Sequence, residues 1–92
     1  MKHQNYAKGY DGTLQELAQS IGNMRYDSVA EFIQYLSEDL KRQAEGDRNR
    51  GRPKLASKLE MTAEQLSQAK QKMDEIWTLC KPYMMDKTKK KE

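Results

Sequence analysis

Apolar side chains recur along this chain with the three-and-four spacing of helices, and each recurrence follows residues that start one. Leu14, Leu17, Ala18 and Ile21 share one helical face. Ahead of them stands Thr13-Leu14-Gln15-Glu16, a capping box in which Thr13 accepts from an orphan backbone N–H and Glu16 reaches back. Gly22 is placed to close this helix in a left-handed cap. A second capping box, Ser28-Val29-Ala30-Glu31, opens a helix whose apolar face is Val29, Phe32, Ile33, Leu36 and Leu40. Lys41 and Arg42 suit the negative end of its dipole, and Gly46 is expected to end it.

From residue 46 to residue 54 the chain has no apolar side chain beyond proline, which marks an exposed basic connector. Pro53 then suits the first position of a short helix carrying Leu55 and Leu59. Thr62-Ala63-Glu64-Gln65 forms a third capping box, with Met61 placed to staple against Leu66. The following helix carries Leu66, Ala69, Met73, Ile76, Trp77 and Cys80, and Pro82 ends or kinks it. The cap and staple favour a break near Thr62. A second arrangement stays open, because Leu55, Leu59, Thr62, Leu66, Ala69, Met73, Ile76 and Cys80 keep a 4-3-4-3 spacing. That spacing equally suits one helix of about 28 residues with a coiled-coil seam. No strand alternation of any length is present. The expected fold is all-α, a small bundle of three to four helices over residues 12–84, with a flexible segment 1–11 and a disordered basic tail 85–92.

Composition changes this picture in one respect. Leu, Ile, Val and Phe number 13 of 92 residues, about 14 %, while 34 % of the chain is charged. So thin an apolar content does little to offset the entropy of ordering the chain. A homodimer, or docking on a protein partner, is therefore expected over a lone monomer. The length excludes a second domain and argues against a large enzyme pocket. One cysteine, Cys80, forms no internal bridge, and no apolar stretch follows Lys2 as a secretory signal requires. No run approaches the ~18 apolar residues of a membrane helix, so no membrane association is expected. A reducing, cytoplasmic setting is the expectation.

Two segments suggest recognition of nucleic acid. Arg50-Gly51-Arg52-Pro53-Lys54 resembles the core of the AT-hook, an arm that enters the minor groove of A·T-rich DNA. The resemblance implies an extended backbone held slim by glycine and proline, with Arg50 and Arg52 along the groove and Lys54 beside them. The alternative is a basic turn that stops one helix and starts the next. Directly downstream, the segment from Leu55 to Leu66 resembles a helix-turn-helix, with Ala56 at the close crossing, Leu59, Met61 and Leu66 in the shared core and Thr62 as cap. It departs from that family at Glu60, where glycine usually makes the turn. The resemblance implies that Ala63, Glu64, Gln65, Ser67, Gln68 and Lys72 face the major groove. Gln65 and Gln68 would then read adenine edges, and Lys70 and Lys72 would meet phosphate. A net charge of +3, with 14 acidic residues scattered over the same helices, restrains this view.

Catalytic chemistry finds no foothold. His3 is the single histidine, so neither a His-based triad nor a histidine metal cluster forms. Cys80, beside Ile76 and Trp77 on an apolar face, suits an inert buried thiol. No catalytic residue, metal ligand or cofactor is expected. Two classes of function remain. One is a small non-catalytic DNA-associated regulatory or accessory protein using Arg50, Arg52, Lys54, Gln65, Gln68, Lys70 and Lys72. The other is a non-catalytic helical adaptor or regulatory subunit that binds a protein partner through an apolar helix face including Met73, Ile76, Trp77 and Met84.

Overall fold

The computed structural model describes the backbone of residues 3–90 and the side chains of residues 3–83. Among the described residues there are three helices: α1 (Leu14–Gly22), α2 (Tyr26–Asn49) and α3 (Pro53–Lys90). Helices α2 and α3 form an antiparallel hairpin, while α1 packs on α2 alone. The molecule measures 59 × 30 × 14 Å. Its long dimension is that of α3, whose 38 residues span about 57 Å at 1.5 Å each.

The start of α1 is as its sequence dictates. Thr13 Oγ1 accepts from Glu16 N at 3.1 Å, and Glu16 Oε1 accepts from Thr13 N at 2.8 Å. Its end differs from the expected left-handed glycine cap. Gly22 is the last helical residue, and Asn23 caps it with right-handed backbone, φ −87°. Helix α2 also starts earlier than Ser28: Arg25 is its N-cap, and Asp27 sits in the first turn with both carboxylate oxygens on the Arg25 guanidinium, at 3.0 and 2.7 Å. A carboxylate so placed favours the positive end of the helix, which supplies the start that Ser28 was expected to provide.

Gly46 does not end α2; the helix continues to Asn49 and only residues 50–52 leave helical conformation. The reversal uses Gly51, at φ +80°, a conformation that side chains disfavour. Gly46 lies within α2 beneath the Arg50 side chain, with room for a Cβ at ordinary contact distance. A Cβ there would stand 3.4 Å from the Arg50 guanidinium that lies across it.

The break expected near Thr62 is absent. Helix α3 runs unbroken through residues 60–62, and through Pro82 as well. Thr62 Oγ1 donates to Lys58 O at 2.9 Å, one turn back, instead of capping a new helix. Continuity is fixed by pairing with α2. Ala30, Ser37 and Ala44 recur every seven residues on α2, Ala56 and Ala63 every seven on α3, and all five are essentially inaccessible. Ser37 Oγ donates to Ala63 O across the seam at 2.8 Å. A turn between Ala56 and Ala63 would throw one of them off α2. The heptad expected on α3 is thus present but rotated by one residue: Ala56, Ala63 and the half-buried Lys70 and Trp77 take the inner positions given above to Leu55, Thr62, Ala69 and Ile76.

Candidate functional site

Small side chains at the seam set where the large ones go. Alanine and serine let two helices approach toward the short end of the ~8–10 Å range, leaving no room between them for leucine or phenylalanine. Among the described residues the largest fully buried side chain is Ser37. Bulky apolar residues therefore project to one side of the hairpin. On α2 these are Val29, Ile33, Leu36 and Leu40, and on α3 they are Leu55, Leu59, Leu66, Met73 and Ile76, while Phe32, two residues after Ala30, stands about 160° from the seam on the back of α2. At 100° per residue both sets stand about 80° from their seam in the same rotational sense. In an antiparallel pair that puts them on the same broad face. Leu36 and Ile76 are each 40 % exposed there and Leu55 46 %, while Ile33, Leu40, Leu59, Leu66 and Met73 are half-buried.

The opposite face is polar. Lys41, Glu45, Arg48, Glu60 and Glu64 line one shallow recess on it, and Asp27, Glu31, Gln34, Lys70 and Asp74 another. Arg48 forks onto Glu60 across the hairpin, with Nη2 3.1 Å from Oε1, and holds the Glu60 carboxyl below the usual carboxylate range.

The expected partner-binding residues divide accordingly. Met73 and Ile76 belong to the apolar face. Trp77 is half-buried at the far end, with the Arg25 guanidinium 5.2 Å above its ring. The side chain of Met84 lies outside the described residues; the backbone of the expected disordered tail 85–92 is helical as far as Lys90, as the end of α3, and residues 91 and 92 are likewise outside. Beside Trp77, Met24, Arg25, Tyr26, Cys80 and Tyr83 line an open recess of about 460 Å³. Its cation, Arg25, is already bound to Asp27 and stacked on Trp77, so the recess offers an anion no uncommitted charge.

The expected DNA-binding residues do not come together. Arg50 Nη2 lies 2.8 Å and Arg52 Nη1 3.5 Å from Asp47 Oδ1, whose side chain is only 10 % exposed. Arg50 first, then Arg52, hold the Asp47 carboxyl below its ordinary value. Arg52 N also donates to Asp47 O at 2.9 Å, so this segment is a folded reversal and not an extended arm. His3 reaches the same place, lining a recess with Gln43, Asp47, Arg50, Arg52 and Leu55. Lys54 is exposed on the first turn of α3. Lys70 pairs with Asp74 at 2.7 Å and Lys72 with Glu75 at 4.0 Å, about 27 Å along α3 from Arg52. Gln65 and Gln68 are exposed on the side of α3 turned away from α2. Glu60, placed where a helix-turn-helix needs its turn, sits mid-helix, and no non-glycine residue has positive φ among the described residues.

Sequence reasoning placed Val29, Phe32, Ile33, Leu36 and Leu40 on one apolar face of the second helix but did not count that face among the candidate partner-binding residues. The signal that reveals it as surface is the seven-residue recurrence of alanine and serine one step round the helix. Among the described residues no His, Cys, Asp and Glu side chains group as a metal site, and no helix is long and apolar enough to cross a membrane. Neither a protein-family model, nor a curated protein, nor a solved structure matches the chain.

Proposed function

We propose that this protein is a non-catalytic helical adaptor or regulatory subunit that docks on another protein through the apolar face of the α2–α3 hairpin. One observation carries the proposal: among the described residues nothing larger than Ser37 is fully buried, while the bulky apolar side chains on one side of both helices are half-buried or exposed. An apolar patch of that breadth, rimmed by polar residues, marks an interaction surface. DNA association draws less support. Arg50, Arg52, Lys70 and Lys72 already spend their charge on carboxylates, and they are divided between two distant parts of the molecule.

The test is a titration with anilinonaphthalene sulfonate at sub-micromolar protein, which reads accessible apolar surface. Wild type is expected to bind the dye. Leu36→Glu and Ile76→Glu are expected to bind several-fold less, and Glu45→Gln on the polar face as much as wild type. Equal dye binding by wild type and both face variants, all helical by circular dichroism, would overturn the proposal.

A further inference from the structure

We infer that the occupant of the apolar face is a second copy of this chain, the two hairpins closing face to face into a four-helix bundle with α2 of each against α3 of the other. The inference rests on the docking reading above and names its partner. Three observations support it.

The first is area. The chain exposes 7512 Å². A compact protein of 10.8 kDa is expected to expose about 5,500 Å². The surplus, about 2,000 Å², is shared among the elongated ends, α1 and the apolar face, and leaves room for the ~800 Å² per partner that a stable interface buries. The face itself lies within the range of about 600–1,000 Å² per partner seen in stable interfaces: α2 is about 36 Å long and the two helices together about 20 Å wide, giving roughly 700 Å².

The second is shape. An alanine seam makes the hairpin flat, so Ile33, Leu36, Leu40, Leu59, Leu66 and Ile76 form a broad, shallow layer, not a groove. A groove fits one helix, whereas a flat layer of two helices fits another flat layer of two. Each chain then supplies to the other the core it lacks alone.

The third is charge, which selects the arrangement. Helix α2 carries six carboxylates against three cations. Residues 53–83 of α3 carry five cations against four carboxylates. Setting α2 over the second copy's α3 gives every helix neighbours of opposite balance; setting α2 over α2 opposes two acidic helices. The favoured arrangement is a two-fold axis parallel to the helices. It keeps all neighbouring helices antiparallel and brings both hairpin loops to the same end.

The experiment is sedimentation equilibrium from 1 to 200 µM on wild type, Leu36→Glu and Ile76→Glu, with circular dichroism on each. A second measurement places a nitroxide at position 49 in an Asn49→Cys/Cys80→Ser chain. Wild type is expected to rise from near its single 10.8 kDa chain mass at 1 µM, where the dye reads an uncovered face, to twice that mass at 200 µM, and at least one helical face variant to stay at the single mass. The two nitroxides are expected about 20 Å apart, against about 40 Å or more with loops at opposite ends. A wild type of single mass throughout overturns the inference. The dye titration then decides the docking reading separately: dye bound and lost in Leu36→Glu keeps that face for a different protein, and no dye bound removes both. A dimer that persists in both helical face variants, or the longer spacing, also overturns the arrangement inferred here.

Discussion

Asp47 gathers the turn end of the hairpin around one carboxylate. Its Oδ1 takes Arg50 at 2.8 Å and Arg52 at 3.5 Å, and its backbone carbonyl takes Arg52 N at 2.9 Å. The reversal at Gly51 is thereby held by an acid nearly out of solvent and two arginines that are not. Because Arg50 lowers the Asp47 proton affinity in the folded chain, the folded state prefers the carboxylate more strongly than the unfolded state does. The stabilisation is complete above the unfolded value of about 3.9 and is lost as the pH falls through the lower folded value. Asp27 beside Arg25, Asp39 beside Arg42 and Glu60 beside Arg48 are shifted in the same direction and add to the same acid limb. Wild-type melting temperature is therefore expected to change little from pH 7 toward about 4.5 and to fall below that. Asp47→Asn is expected to melt lower than wild type at pH 7 and to lose less between pH 4 and 2. Thermal melts across that range check both, and parallel curves for the two proteins would mean that the ion pairs at the turn do not contribute.

At the scale of elements, the decisive feature is the continuity of α3, and Thr62 tests it by sign. A threonine that caps a helix costs about 0.5–2 kcal/mol when changed to alanine. A threonine in the middle of an exposed helical face, back-bonded to Lys58 O, is a weaker helix former than alanine by up to about 0.7 kcal/mol. Thr62→Ala is accordingly expected to stabilise the protein slightly in urea unfolding, and a loss would indicate a helix start at that point. The seam predicts the reverse response to added bulk. Ala63→Leu places a large side chain where exposure is 0 % and is expected to cost about 1–3 kcal/mol by overpacking. Ser37→Ala removes one hydrogen bond and is expected to cost about 1 kcal/mol. These cases also mark what was legible beforehand. The start of α1 is encoded by groups three residues apart, Thr13 and Glu16, so the sequence displays it. The Thr62 segment carries the same local signals, yet they lose to a non-local condition, the register of Ala56 and Ala63 on α2. The apolar faces of α2 and α3 were legible as faces. Their outward orientation was not, because the residues that mark the seam are alanine and serine, which contribute little to an apolar pattern.

At the scale of the whole molecule, charge placement sets what the surface can attract. Affinity for duplex DNA grows with the number of phosphates that uncommitted cations can neutralise, and it falls steeply with salt when that number is large. The +3 excess is spread over a molecule 59 Å long, and the Arg-Gly-Arg-Pro segment that resembles a minor-groove arm is folded onto Asp47. An arm entering the groove would have to give up both Asp47 contacts and the reversal that joins α2 to α3. Binding to short A·T-rich and G·C-rich duplexes is therefore expected to be weak, alike for the two sequences, and only shallowly salt-dependent. The Arg50→Ala/Arg52→Ala double variant is expected to bind no differently from wild type, because its arginines are occupied within the fold. Fluorescence anisotropy between 50 and 200 mM salt checks this directly. Micromolar or tighter binding that prefers A·T-rich duplex, falls steeply with salt and disappears in the double variant would reverse the assignment. The arginine pair would then be the working part of the molecule, released from Asp47 on contact with the groove, and the apolar face would serve only to assemble the protein that carries it.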